Sequence, residues 1–344
     1  MRKQFKQLAV AAALAGLGLV AQAADPIILK VHHFLSPQSI QHTAMLRGWC
    51  DNIAKDSGNR LQCQIYAAMQ LGGTPPQLYD QARDGVADVV WTVPGYTAGR
   101  FPKTEVFELP FMMTNADATS RAAWDYYEKD AKDEFKDVKV LAVHVHGPGN
   151  IFTAKKQIKT MADIKGLKLR APTRLTTKLL ASMGATPVGM PVPAVPDALS
   201  KGVLDGAVIP YEVAQTIKID ELAHFTAETD RSYNALYTTF FLFAMNQAKY
   251  DSLPADLKKV IDKNSGQELS AFLGRTQAGN DVQGKAKMVA GGHVITVIPK
   301  SELENWKAAS SKLDDDWMAD MDKRGFNGKA LLDDATNLIN KYSK

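Results

Sequence analysis

Short apolar strands alternate with amphipathic helices along this chain, and that alternation most strongly limits how it can fold. Near the N-terminal end, the pattern predicts strands at 27–33, 61–67 and 89–93, with helices at 43–55 and 76–84 between them. Strands joined through helices by short connections are typical of a mainly parallel sheet with helices on both faces. This part of the chain therefore predicts an α/β unit.

The same alternation returns further along the chain. It predicts strands at 138–145, 164–170, 185–188 and 205–209, and helices at 175–183 and 195–201. A chain of 344 residues is near the limit for one hydrophobic core. We therefore expect an α/β fold with two lobes and a cleft between them. The pattern from Leu303 to Ser343 predicts long C-terminal helices, interrupted at 325–328.

The first 23 residues predict a secretory signal peptide. A basic start precedes an apolar run from Leu8 to Val20, and the run is followed by Ala21-Gln22-Ala23. This order of basic, apolar and small residues is typical of an export signal. A membrane anchor is the alternative, but the run is shorter than the ~20 residues that a bilayer span needs. The mature chain is therefore expected to be a soluble exported protein.

The two cysteines, Cys50 and Cys63, are expected to form a disulfide. Cys50 lies near the end of a predicted helix, and Cys63 lies in the strand that follows. An even cysteine count in an exported protein favours pairing. Two buried free thiols are the alternative.

Charge and motifs argue against two functional classes. The chain has 41 basic and 37 acidic residues without a basic tract, so nucleic acid is not an expected partner. A nucleophile elbow, a phosphate-binding Walker loop and a zinc-protease motif are all absent from the sequence. We therefore do not expect an enzyme.

Five histidines raise the possibility of a metal site. They are His32, His33, His42, His144 and His146. Strand alternation places His144 and His146 on one face, where two side chains can chelate a metal. No third ligand is evident, so we expect no metal and interpret these histidines as groups that line a cleft or bind backbone.

Arg170 is the strongest single candidate for a binding residue. It ends a predicted strand and precedes Ala171-Pro172. Open α/β sheets bind ligands at the carboxyl ends of their strands. A guanidinium there presents two parallel donors that match the two oxygens of a carboxylate.

The segments around Arg170 also carry a family resemblance. The stretches ADIKGLKLRAPT and LLASMGATPVGMPVPAVPDALSKGVLDGAVIP resemble the solute-binding proteins of tripartite ATP-independent periplasmic (TRAP) transporters, of the DctP type. So do YAAMQLGG, DGVADVVW, FELPFM and MNQAKYDSLPADL. These matches occur in the family's order over nearly the whole mature chain.

The resemblance implies a two-lobed periplasmic binding protein that closes on an organic acid. Its crossover pattern implies one lobe from 24–147 plus 234–275 and a second from 148–233 plus 276–344. It also implies a monomer without a cofactor, which delivers its ligand to the small and large TRAP membrane subunits. A ligand sensor that reports to a signalling partner is the alternative.

Within this resemblance, the family's carboxylate-clamping arginine maps onto Arg170. A second arginine of the sialic-acid branch aligns with Asn150, and an asparagine common in relatives aligns with Ile209. Fewer polar partners suit a monocarboxylate with an apolar or aromatic body. The expected aromatic wall of the pocket consists of Phe34, Trp91, Tyr211 and Phe240.

A C4-dicarboxylate or a sugar acid is the alternative ligand. Such a ligand needs a second cationic or multiply donating group in the pocket. The available candidates for that group are Arg174, His33 and His146.

Overall fold

A computed structural model describes residues 25–344. The expected signal peptide, residues 1–23, lies outside the described residues. The strands are β1 (Ile27–His32), β2 (Leu61–Tyr66), β3 (Val89–Thr92), β4 (Val138–Val145), β5 (Asn150–Thr153), β6 (Lys168–Ala171), β7 (Thr186–Gly189), β8 (Gly206–Ile209), β9 (Phe225–Thr229), β10 (Phe240–Asn246) and β11 (Val294–Ile298).

Fourteen α-helices are described between and after these strands. They are α1 (Arg47–Asp56), α2 (Leu78–Arg83), α3 (Ala116–Tyr126), α4 (Met161–Ile164), α5 (Arg174–Ser182), α6 (Val195–Ser200), α7 (Tyr211–Thr216), α8 (Gln247–Ser252), α9 (Ala255–Lys263), α10 (Gln267–Gly279), α11 (Asp281–Ala290), α12 (Lys300–Ser310), α13 (Lys312–Lys323) and α14 (Gly328–Tyr342). A π-helical turn, Gln41–Leu46, runs directly into α1.

The strands form two sheets, which confirms the expected two-lobed α/β fold. The first lobe contains a five-stranded sheet of order β2-β1-β3-β10-β4, and the second contains a six-stranded sheet of order β11-β9-β5-β8-β6-β7. All residues of β3, β5, β8 and β10 are buried. This burial explains why β3, β8 and β10 consist almost entirely of apolar residues.

Each sheet is mainly parallel, as expected from the sequence, and contains one antiparallel strand. Strand β10 pairs antiparallel with both β3 and β4 in the first sheet. Strand β5 pairs antiparallel with both β8 and β9 in the second. Each of these strands enters its sheet after the chain has crossed from the other lobe, and a local strand–helix pattern does not reveal such a crossover.

The segment before Arg170 begins with a helical turn, although the sequence pattern predicted a strand over 164–170. Thr160 and Asp163 form a capping box that starts α4. Gly166 then has a φ of +77°, a left-handed conformation that glycine adopts without strain. The strand therefore starts only at Lys168.

The predicted disulfide is present. Cys50 of α1 is bonded to Cys63 of β2, with their Cα atoms 5.7 Å apart. The bond joins the first helix of the first lobe to the strand that packs beside it.

The C-terminal helices divide between the two lobes. Helix α12 packs on α4 and α5, and α13 packs on α5. Helix α14 instead packs on α3 of the first lobe, where Lys129 pairs with Asp334 and the Tyr342 hydroxyl donates to Asp125. The expected boundary placed all of 276–344 with the second lobe, but the apolar face of α14 covers the first. No helix among residues 25–344 has the length and apolar character to cross a bilayer.

Candidate ligand-binding site

A cavity lies between the lobes. Most of its lining is apolar, and five of the lining residues carry aromatic rings other than histidine: Phe34, Trp91, Tyr96, Tyr237 and Phe241. The polar side chains of the remaining lining belong to His146, Arg170, Thr239 and Gln277.

The topology explains why these residues meet. Phe34 follows β1, Trp91 lies in β3, Arg170 lies near the end of β6, and Ile209 ends β8. Within each sheet these strands run parallel, β1 with β3 and β6 with β8. Their carboxyl ends therefore share one edge of the sheet, and the two edges face the same cleft.

Arg170 is a buried cation that is held by backbone groups. The residue is 2% exposed. Its Nε donates to the Met190 carbonyl oxygen at 2.9 Å, and its Nη1 donates to the Val208 carbonyl oxygen at 3.1 Å. Among residues 25–344 it forms no ion pair with a carboxylate. Because buried charges in proteins are normally paired, this arrangement fits an anionic ligand.

Tyr96 brings a second hydrogen-bond donor to the cavity from the other lobe. It lies in the turn after β3, and its hydroxyl oxygen accepts the Val192 backbone N–H at 3.2 Å. The hydroxyl hydrogen is therefore free to point elsewhere. Burial raises the pKa of Tyr96, and the nearby Arg170 charge opposes that rise only in part. The phenol thus stays protonated and can donate to an anion beside Arg170.

A stack of rings forms one wall of the cavity. The ring centroids of Trp91 and Phe241 are 4.8 Å apart with an interplanar angle of 11°. Phe34 stacks on the same indole at 5.0 Å. The indole Nε1 donates to Nε2 of His144 at 2.8 Å, which fixes the plane of Trp91. The wall is therefore aromatic and rigidly held, a surface that suits an aromatic ring.

The structure places Phe241 on this wall, where the sequence analysis had placed Phe240. Side chains alternate between the two faces of a strand, so neighbouring residues of β10 face opposite ways. Phe240 faces the core of the first lobe, where its ring lies 6.0 Å from that of Phe107. The expectation for Phe240 was thus in error by one residue.

Three further candidates lie outside the cavity lining. His33 Nδ1 accepts the Leu35 backbone N–H, so its Nε2 donates to His42 at 3.0 Å. Asn150 donates to the Pro148 carbonyl oxygen. The Tyr211 hydroxyl donates to Glu228 at 3.0 Å. Asn150 and Tyr211 line a separate surface pocket.

A buried carboxyl cluster adjoins the cavity, although the sequence favours an exposed carboxylate at the rim for Glu212. Glu212 of the second lobe accepts from Nε2 of Gln41 at 3.1 Å across the cleft, and from Nε2 of Gln277 at 2.6 Å. Burial raises the pKa of Glu212 to about 8, and the Asp281 charge adds to this rise. Burial also raises the pKa of Asp281, to about 7. No cation pairs with Glu212 among the described residues.

The histidines considered as metal ligands make other contacts. His32 Nδ1 lies 2.7 Å from Gln81 Oε1. His144 accepts from Trp91, as described above. His146 contacts the Gly147 carbonyl oxygen and Thr239. In the part of the chain that the structure describes, no three His, Cys, Asp or Glu side chains converge as metal ligands.

Comparison with known proteins places the chain in a family. Residues 31–320 match the family model of the bacterial extracellular solute-binding proteins, family 7, called DctP. The chain is 26% identical to the "Outer membrane transporter protein TsaT" of Comamonas testosteroni, over 95% of this chain and 96% of that protein. It is 24% identical to the 2,3-diketo-L-gulonate-binding periplasmic protein YiaO of Escherichia coli K12, over 71% and 73% of the two chains.

Solved structures show the same architecture. A TRAP solute-binding protein of Rhodoferax ferrireducens T118, in complex with copurified benzoate, is 54% identical with a TM-score of 0.91, covering 92% of this chain and 98% of that one. A marine metagenome protein specific for aromatic acid ligands, with 3-hydroxybenzoate bound, is 46% identical with a TM-score of 0.91, covering 93% and 100%.

A third structure binds a related class of ligand. It is a TRAP solute-binding protein of Bordetella bronchiseptica with bound mandelate, 27% identical with a TM-score of 0.85, covering 92% of this chain and 99% of that one. The family match spans most of the described chain, and these structures share its fold. The chain therefore belongs to the DctP family of TRAP solute-binding proteins.

Proposed function

We propose that this protein is a periplasmic receptor for an aromatic monocarboxylate, which it delivers to TRAP membrane subunits. The observation that carries the proposal is Arg170, a buried guanidinium without a carboxylate partner among the described residues, in a cavity with an aromatic wall. The three solved relatives described above bind benzoate, 3-hydroxybenzoate and mandelate, which supports this ligand class.

The carboxylate is bound by donors from both lobes. Nη2 of Arg170 is the guanidinium nitrogen that the two backbone bonds do not use, and the Tyr96 hydroxyl supplies a second donor. Arg170 belongs to the second lobe and Tyr96 to the first. A ligand held by both stabilises the closed arrangement of the lobes over an open one, because it gains these bonds together only when the cleft is closed.

The lining carries one formal positive charge, and this favours a monocarboxylate over a dicarboxylate. Arg174 is one candidate for a second cationic group, but it pairs with Glu105 and with Asp320. Burial lowers the pKa of His146 to about 4, so the ring is neutral at pH 7. A second carboxylate in this cavity would lack a cationic partner, and burying it would be costly.

A calorimetric series on purified mature protein tests the proposed ligand class. Benzoate and a branched 2-oxo acid represent monocarboxylates with apolar bodies, and succinate and gluconate represent the competing classes. We expect benzoate to bind and to raise thermal stability by about RT ln(1 + [L]/Kd). Tight binding of succinate or gluconate, with no detectable binding of any aromatic or branched acid, would contradict the proposal.

Delivery to membrane subunits requires its own test. Vesicles that carry the small and large TRAP subunits of the same organism should accumulate labelled benzoate only when this protein is added. If the protein binds benzoate but supports no uptake, the alternative of a ligand sensor for a signalling partner is favoured.

A further inference from the structure

His146 and Thr239 place polar atoms in a lining that is otherwise largely apolar and aromatic. His146 directly follows β4, and Thr239 directly precedes β10, the antiparallel neighbour of β4. Both residues are 3% exposed, and both line the cavity. The binding of a carboxylate, as proposed above, uses donors and leaves these two residues without a role.

The hydrogen bonds of His146 determine which ring nitrogen carries the hydrogen. Its Nδ1 contacts the carbonyl oxygen of Gly147. A carbonyl oxygen only accepts, so Nδ1 carries the hydrogen. Burial keeps the ring neutral, with its pKa lowered to about 4. Nε2 is therefore left without a hydrogen and acts only as an acceptor.

The acceptor nitrogen is on the cavity side of the ring. Nε2 lies 3.2 Å from Oγ1 of Thr239, which lines the cavity. Nδ1 lies on the side of Gly147 and Thr238, and neither of these residues lines it. Edge-on contacts with Tyr237 at 5.5 Å and Phe241 at 5.9 Å hold the ring in this orientation.

The cavity therefore combines a donor set for an anion with a separate acceptor. We propose that His146 is a specificity-determining residue that selects hydroxylated aromatic monocarboxylates, by accepting a hydrogen bond at Nε2 from a hydroxyl group of the ligand. This inference rests on the proposed function and narrows its ligand class. A site built to pair with a ligand hydroxyl discriminates against the analogue that lacks it, since the buried acceptor then loses its partner.

Thr239 moderates this discrimination. When the ligand has no hydroxyl, the Thr239 O–H can donate to Nε2 at the observed 3.2 Å. When the ligand has one, the Thr239 hydroxyl can rotate away. We therefore expect a preference of about 10- to 100-fold, smaller than in a site where the acceptor has no internal partner.

Calorimetry with benzoate, 3- and 4-hydroxybenzoate and their methyl ethers tests the inference. The ethers keep the ring oxygen and lack the donor hydrogen. We expect at least one hydroxybenzoate to bind ten or more times more tightly than both benzoate and its own ether. If benzoate binds and neither hydroxybenzoate is preferred, the inference is wrong and the proposed function stands. If none of the five acids binds, the proposed function fails as well.

Three variants test whether the preference for hydroxybenzoate over benzoate depends on Nε2 of His146. His146→Phe removes the acceptor, and the ratio of the benzoate Kd to the hydroxybenzoate Kd should fall to within threefold of one. Thr239→Val removes the internal donor and should increase the ratio. Thr119→Val, a matched change at a buried threonine of α3 that lies outside the lining and whose hydroxyl forms no hydrogen bond with His146, should leave it unchanged. Each ratio compares the affinities of one protein for two ligands. A general loss of packing weakens both affinities to a similar extent and therefore leaves the ratio unchanged.

The Thr239→Val variant also covers the case in which His146→Phe does not fold. An unchanged or reduced ratio in Thr239→Val would contradict the role of Nε2. A ratio in His146→Phe equal to that of the wild type would contradict it directly.

Discussion

Arg170 and Glu212 are two buried ionisable groups at the same cleft, and neither has an oppositely charged partner among the described residues. Arg170 is held by two backbone carbonyl oxygens. Glu212 is held by the side-chain amides of Gln41 and Gln277, and Gln277 also lines the cavity. The two groups differ in how they avoid the cost of a buried charge.

A carboxyl group can become neutral, whereas a guanidinium cannot. Burial raises the pKa of Glu212 to about 8, so the group takes up a proton near neutral pH and needs no ion. A guanidinium stays charged at any physiological pH. Arg170 therefore requires a negative charge from outside the chain, and Glu212 does not. The first is suited to binding a ligand, and the second to joining the lobes.

The largest expected effect is the loss of ligand binding in Arg170→Ala. The carboxylate of benzoate would be buried without its cation, which should cost about 2–5 kcal/mol, or roughly 30- to several-thousand-fold in Kd. Arg170→Lys should recover only part of the loss, because an ammonium does not reproduce the planar fork of donors. Calorimetry on folded protein measures both.

Arg121→Ala is the matched control for this prediction. Arg121 lies outside the cavity lining and is bound by Asp117 and Glu268 of its own lobe, so its loss should leave benzoate affinity unchanged. Binding by Arg170→Ala within threefold of the wild type would show that the two arginines do not differ as described.

Removal of the disulfide should change stability without changing affinity. Cys50 and Cys63 are 13 positions apart, and opening a loop of that size should lower the free energy of unfolding by roughly 3 kcal/mol. Neither residue lines the cavity. Urea unfolding and calorimetry of a Cys50→Ser, Cys63→Ser variant measure the two quantities. A large change in benzoate Kd would show that stability and affinity are not separable here, and would weaken the interpretation of Arg170→Ala.

The third prediction is that Glu212→Gln reduces the pH dependence of stability. The pKa of Glu212 is about 8 in the folded protein, against an ordinary value of 4.5. Between these values the folded state binds more protons than the unfolded state, so stability falls as pH rises from about 4.5 to about 8. One such group contributes a slope of about 1.4 kcal/mol per pH unit. Glu212→Gln should remove this contribution.

Urea unfolding of the ligand-free protein at pH 5, 6, 7 and 8 measures that slope. Some slope should remain in Glu212→Gln, because Glu108 and Asp281 also have pKa values raised by burial, to about 8 and 7. The variant should fold, since the buried Oε1 atoms of Gln41 and Gln277 lack partners and can accept from the new amide when either side-chain amide rotates by half a turn. Equal slopes in the two proteins would show that Glu212 is ionised in the fold.

The smallest expected effect is that of Gln41→Leu. Its hydrogen bonds to Glu212 cross the cleft, so they are complete only when the lobes are close. A net contribution of about 0.5–1.5 kcal/mol should weaken benzoate binding by about 2- to 10-fold, because closure and binding are linked. A fall in stability without any change in Kd would show that this contact is not coupled to closure.

Much of the site was predictable because it depends on local pattern. Arg170, Trp91 and Ile209 belong to short strands whose carboxyl ends are recognisable, and all of them line the cavity. Phe240 was misplaced by one position, because β10 joins its sheet 95 residues after β4 ends and its register is set by pairing with β3 and β4. A shift of one residue in register exchanges the two faces of a strand.

For other residues of the site, the sequence gives little or no indication of their role. Tyr96 follows β3 in the turn Pro94-Gly95-Tyr96, a position where a donor to the cleft was inferable. Gln41 and Glu212 are separated by 171 residues, and nothing local relates them. Neither the protonated state of Glu212 nor the acceptor role of His146 Nε2 follows from residue type.

The sequence by itself determined the α/β class, the two lobes, the disulfide pair and the arginine at the end of its strand. These features depend on periodicity, on cysteine count and on the family resemblance. Each of these signals can be recognised in the sequence without knowing which distant residues are in contact. The tertiary structure alone decided the strand order, the face that each residue of β10 presents, and the lobe that α14 covers. It also decided which buried groups are charged, because desolvation and hydrogen bonding depend on every element packed around a group.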